Sequence, residues 1–130
     1  MALAIKVYER EQGVFVVALT GALDTSTYEE LEEKVRPFLM ETTRALVFDL
    51  KGLEYISSMG VSAVLKAKKA IEGFGNSFLM INMQPQIKTV FEIIKALPAI
   101  ALFESLEEAD AYLTEMQRRA RERAQEEGRS

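Results

Sequence analysis

Two serines and a glycine, in the segment Ile56-Ser57-Ser58-Met59-Gly60, are the residues whose types and spacing most suggest chemistry. They precede a helical pattern running through Val61, Val64, Leu65, Lys68 and Ile71. A helix start leaves unpaired N–H groups and the positive end of a dipole. One serine there acts as an N-cap. The same place holds a phosphate with little rearrangement. A phosphoserine would add about −1.5 to −2 charges at pH 7. The residue pattern supports capping and phosphorylation alike. Gly60 adds room for another backbone to approach closely.

Two aspartates follow apolar runs. Asp24 closes Gly21-Ala22-Leu23-Asp24, and Asp49 sits near the end of Ala45 to Leu50. In a mostly parallel sheet, the loops after strands gather at one edge. Asp24 is therefore expected near Ser58. Each aspartate also makes sense as a turn or capping residue. Together they would hold magnesium only with further acidic ligands, and no such motif is present. No metal or cofactor is expected. Gly73-Phe74-Gly75 resembles part of a phosphate loop, but it follows a helix and reads as a helix stop.

The absences narrow the chemistry further. The chain has 130 residues, no cysteine and no histidine. Thiolate catalysis, disulfides, a Ser-His-Asp triad and an imidazole-bound zinc site are all excluded. The expectation is a non-enzymatic binding protein. With net charge −4, no large basic face is implied, so nucleic acid is a poor partner. Met1 to Arg10 lacks the apolar core of a signal peptide, and no run reaches membrane-spanning length. A cytoplasmic location is expected.

The elements that must position the serines follow from periodicity. Ala4 to Tyr8 and Val14 to Leu19 read as a strand hairpin around Gly13. Asp24 to Thr27 offers N-caps, with Ser26/Glu29 or Thr27/Glu30 as a capping box. The helix that follows places Tyr28, Leu31, Val35, Phe38 and Leu39 on one face, and Pro37 should split its end. Ala45 to Leu50 is a buried strand, followed by a loop over Lys51 to Tyr55. After the helix at Ser58 come a strand at Phe78 to Ile81 and a helix opened by Pro85 and stopped at Pro98. Ala99 to Phe103 suits a short edge strand, and Ser105 with Glu108 caps a last helix. Strands alternating with helices predict an α/β fold, a mixed, mostly parallel sheet of four to five strands covered by about four helices. The domain spans residues 1–116. Residues 117–130, rich in arginine and glutamate, read as a charged helix extension or tail.

Three segments, in this order and spacing, carry a family resemblance. They are Leu19-Thr20-Gly21-Ala22-Leu23-Asp24, Val47-Phe48-Asp49-Leu50 and Tyr55-Ile56-Ser57-Ser58-Met59-Gly60. Over about residues 4 to 115 the chain resembles STAS domains, in particular the stand-alone bacterial anti-sigma factor antagonists. The resemblance implies that Ser58 is the phosphorylated serine, with Ser57 the alternative. It implies a partner, an anti-sigma factor that is itself a serine kinase. Binding would occur in the unphosphorylated state, and a PP2C-type phosphatase would restore it. The implied docking surface comprises Asp24, Thr25, Ser57, Ser58, Met59, Gly60 and Val61. An alternative within the same fold is an unphosphorylated interaction module in a signalling or lipid-transport complex. Two residues depart from the family pattern. Ser57 stands where aspartate is frequent, which removes a charge and adds a second candidate acceptor. Met59 stands where a small residue is usual.

Overall fold

The computed structural model describes residues 2–96 and 106–128. Its elements are β1 (Leu3–Glu11), β2 (Val14–Leu23), α1 (Tyr28–Val35), β3 (Ala45–Ile56), α2 (Ser58–Gly73), β4 (Ser77–Ile81), α3 (Pro85–Ala96) and α4 (Leu106–Glu127). The four strands form one sheet in the order β1-β2-β3-β4. β1 and β2 are an antiparallel hairpin. β2, β3 and β4 run parallel, joined through α1 and α2. The expected α/β class and the order of elements are what the structure shows. The edge strand expected at Ala99–Phe103, the stop at Pro98 and the cap at Ser105 lie outside the described residues.

One face of the sheet makes the core. Ile5, Val7, Val17, Leu19, Leu46, Phe48, Phe78 and Met80 share it through the strand register. Leu31 and Val35 of α1 and Val64, Ala67 and Ile71 of α2 pack against them. Ile87 and Val90 of α3 and Leu113 of α4 complete the cluster. Burying each large aliphatic side chain contributes roughly 1.5–3 kcal/mol. Pro37 acts as expected: α1 ends at Val35, and Arg36–Phe38 continue as a single 3₁₀ turn.

Both parallel strands at the site outrun their sequence patterns. β2 continues past Leu19 to Leu23, and β3 continues through the expected loop to Ile56. Ala18 pairs with Asp49 and Thr20 with Gly52, then Gly21 with Leu53 and Ala22 with Tyr55. Each step inserts one extra residue into β3, so the strand carries two bulges. These shift the buried positions of β3 from every second residue to Leu50, Leu53 and Ile56.

The charged segment after residue 116 continues α4 as helix to Glu127, and both Gln117 and Ala120 are buried. On its outer face Arg118 grips Glu115 and Glu122 at 2.6 Å each, and Arg119 bonds Glu115 at 3.1 Å. The Arg118 and Arg119 hydrogen bonds hold the Glu115 carboxyl at about 2, well below its ordinary 4.5. A depressed carboxyl supports the fold above pH 4.5 and loses that support as pH falls toward 2. Protection factors of the α4 amides, taken relative to the intrinsic exchange rate at each pH, should accordingly fall as pH drops through that window, more so at low salt. Glu115→Gln should flatten this pH response, and an unchanged response in the variant would remove Glu115 as its source.

Candidate functional site

The carboxyl edge of the sheet brings two chain reversals together. Leu23 and Ile56 are register partners at the ends of β2 and β3. The Ser57 N–H donates to the Leu23 carbonyl at 2.9 Å and extends the ladder by one rung. The Asp24 turn and the serine corner are thus neighbours, as the parallel arrangement predicts.

Ser57 is the N-cap of α2. Its extended backbone (φ −95°, ψ 175°) turns the chain into the helix, and its Oγ accepts from the Gly60 N–H at 3.2 Å. Its carbonyl accepts the first helical bond, from Val61. Ser58 is the first residue of the helix proper. Gly60 is set by close approach: a Cβ there would sit 2.5 Å from the Leu23 carbonyl oxygen and 2.9 Å from Ile56 Cγ1. Only a glycine lets the helix start this close to the strand end. The two serines therefore divide the two readings of the sequence. Ser57 does the capping, which leaves Ser58 without that duty.

Ser58 is nevertheless not on the surface. Ser57 and Ser58 are each 2% exposed, and Val61 at 1% belongs to the core cluster. Of the implied docking surface, Thr25 is exposed, and Asp24 and Met59 are half-buried. Val61 cannot touch a partner in this conformation, a correction to the expected surface. The accessible extension lies one and two turns along α2, at Ser62, Leu65 and Lys66. The spacing from Met59 marks these residues (i+3, i+6, i+7), but the sequence reading did not single them out.

Asp24 is occupied by its own turn. Its Oδ1 accepts from the Ser26 N–H at 2.9 Å and the Ser26 hydroxyl at 2.7 Å, with Thr27 Oγ1 at 3.2 Å. Partial burial pushes the carboxyl up, but these bonds outweigh it and hold it below its ordinary range. Thr27 precedes α1, but the expected capping box does not form. Its hydroxyl faces backward instead, donating to the Ala22 carbonyl and accepting from the Asp24 N–H, both at 2.9 Å. Thr27→Val keeps the shape and orphans both groups, so it should cost about 2 kcal/mol. The urea midpoint measures this, and a loss near zero would show that the turn finds other partners.

Asp49 lies elsewhere. It pairs with Ala18 and Ile81 in the middle of the sheet, with its carboxylate on the Lys51 N–H and the Asn82 amide. At about 3.3 Å per residue, Ala18 is roughly 17 Å from Leu23 along β2. The register thus keeps Asp49 away from Asp24, and no metal-ligating cluster occurs among the described residues.

One contact at the corner leaves no trace in the periodicity of the chain. Gln117 of α4 meets Ile56 with both ends of its amide. The Ile56 N–H donates to Gln117 Oε1 at 3.1 Å, and Gln117 Nε2 donates to the Ile56 carbonyl at 2.8 Å. Among the described residues no strand lies beside this edge of β3, because β4 pairs only as far as Asp49. The amide side chain therefore does the work of a missing strand residue. Each bond is worth about 1 kcal/mol net. Beside it, the Tyr55 hydroxyl and Thr114 Oγ1 lie 2.8 Å apart.

The sheet order, the corner at the carboxyl edge and the helix packing define a STAS-type domain. The STAS domain family model matches residues 6–109, and the chain belongs to that family. Proteins named as anti-sigma factor antagonists are among its curated relatives. It is 28% identical over 103 residues to BtrV of Bordetella bronchiseptica, a protein named as an anti-sigma factor antagonist, covering 79% of this chain and 89% of that one. It is 27% identical over 78 residues to the anti-sigma F factor antagonist of Lysinibacillus sphaericus, covering 59% and 67%. Among solved structures, phosphorylated SpoIIAA of Bacillus superposes with a TM-score of 0.61 at 21% identity, covering 73% of this chain and 86% of that one. No helix among the described residues is long and apolar enough to cross a membrane.

Proposed function

We propose that this protein is an anti-sigma factor antagonist, a non-enzymatic cytoplasmic regulator switched at Ser58. The observation that carries this reading is the division of labour at the corner. Ser57 caps the helix and ties the corner to Leu23, the residue before Asp24, and Ser58 follows it at the dipole's positive end. The names of the relatives favour an anti-sigma factor as partner. The unmodified corner, with Thr25, Met59 and the exposed α2 face, docks on that partner. A phosphate at Ser58 places a dianion beside Asp24, and like-charge repulsion plus desolvation opposes docking. A serine kinase, the anti-sigma factor itself, adds the phosphate and a PP2C-type phosphatase removes it.

A second reading draws on the burial of Ser58. A hydroxyl 2% exposed suits an interaction module that is never phosphorylated. Incubation with ATP and the candidate anti-sigma kinases from the same genome, followed by mass spectrometry, separates the two. Phosphate on Ser58 supports the switch. No phosphate on Ser57 or Ser58 with any of them leaves the unmodified module.

A further inference from the structure

We propose that Gln117 is the positioning residue of the serine corner, and that its amide clasp on Ile56 holds α4 as a removable cover over Ser58. Three observations converge on this. Ser58 is buried although it starts a helix at the sheet edge, a place usually open to water. The clasp engages both backbone groups of the residue two before it. The inner face of α4 then continues past the corner through Gln117, buried Ala120 and half-buried Ala124, at helical spacing.

Direction along the helix places the cover. Thr114 meets Tyr55, and Gln117 meets Ile56. The next inward residue, Ala120, continues one turn further in the same direction, toward the turn of the chain through Ser57 and Ser58. α4 packs against both β3 and α2, the two elements that the corner joins. Beyond Leu113, the inward side of α4 among the described residues carries three neutral hydrogen bonds, from Thr114 and Gln117, with Met116 half-buried and two small alanine side chains. Such an attachment opens locally without unfolding the core. An open groove bounded by Glu54, Tyr55, Gln86, Thr114 and Gln117 runs alongside the buried clasp.

The consequence rests on the proposed switch at Ser58. Any modifying enzyme reaches that hydroxyl only after the clasp releases, and a phosphate there prevents α4 from closing again. The state of α4 thereby sets how readily the switch is thrown.

The chain has no cysteine, so Ser58→Cys introduces a unique thiol into the full-length protein. The probe is an aromatic disulfide that reports thiol reaction by absorbance. Protection relative to the urea-unfolded chain is expected, with a small denaturant slope that marks local opening. Adding Gln117→Ala should speed the reaction on the order of tenfold or more. Unchanged reactivity in that variant, with the fold intact by circular dichroism, overturns the proposal. Should the variant not fold, amide exchange in the Ser58→Cys protein decides. The Ile56 N–H and the thiol should then show the same opening equilibrium. A thiol that opens only with global unfolding overturns the cover. None of these measurements needs phosphorylation, so absence of a kinase reaction would sink the switch and leave the cover standing.

Discussion

Gly60→Ala will destabilise the protein by about 2 kcal/mol, although alanine is the better helix former by up to ~1 kcal/mol. The added Cβ meets a backbone oxygen, that of Leu23, at 2.5 Å, with Leu23 Cγ and Ile56 Cγ1 at 2.9 Å. Backbone does not swing aside as a flexible side chain does. Overpacking of this kind costs about 1–3 kcal/mol, and the tightness here favours the upper part of that range. Gly73, at the other end of the same helix, provides the control. A Cβ there meets nothing within 4 Å, so Gly73→Ala should be neutral or stabilising by up to about 1 kcal/mol. Urea denaturation of the two variants should give opposite signs. Equal effects would mean that the approach of α2 to Leu23 is looser than the geometry shows. The Ser57 N–H bond to the Leu23 carbonyl should weaken in Gly60→Ala, and faster exchange at Ser57 reports that directly.

Ser58→Asp will lose partner affinity on the order of a hundredfold, about 2.7 kcal/mol, while Ser58→Ala will bind as the parent does. The charge acts twice. It brings a carboxylate beside the Asp24 turn, and it places an ion where the present structure excludes water. The helix dipole returns at most ~1 kcal/mol, whereas desolvating a carboxylate costs several. The aspartate therefore emerges by displacing its cover, and the emerged charge blocks docking. Calorimetric titration with the anti-sigma factor of the same genome measures the loss. Parent-like affinity in Ser58→Asp would sink the charge switch. A matching loss in Ser58→Ala would assign the effect to the hydroxyl itself.

The element order, the hairpin and the serine-bearing helix start were legible because strand and helix periods are local. The end of β3 was not. Its two bulges replace alternation with a spacing of three, so Lys51 to Tyr55 reads as a loop although it is strand. Thr27 was chosen as a cap for its hydroxyl, but tertiary closure of the Asp24 turn takes that hydroxyl first. Ser58 was read correctly in position and wrongly in exposure. Its burial fits the passage of α4 along the corner, and the one polar residue that fixes this passage sits in an otherwise charged stretch. A buried glutamine among arginines and glutamates carries no signal in periodicity. Its role shows only in its partner, Ile56, at the end of β3 beyond the last residue that β4 pairs.

The clasp joins residues 61 positions apart in the chain. That separation has a meaning during synthesis. At about 5–20 residues per second, Gln117 is added roughly 3–12 s after Ile56. Throughout that interval the clasp cannot form, because its glutamine does not yet exist. On the proposed cover, Ser58 of a newborn molecule is thus open before it is ever closed.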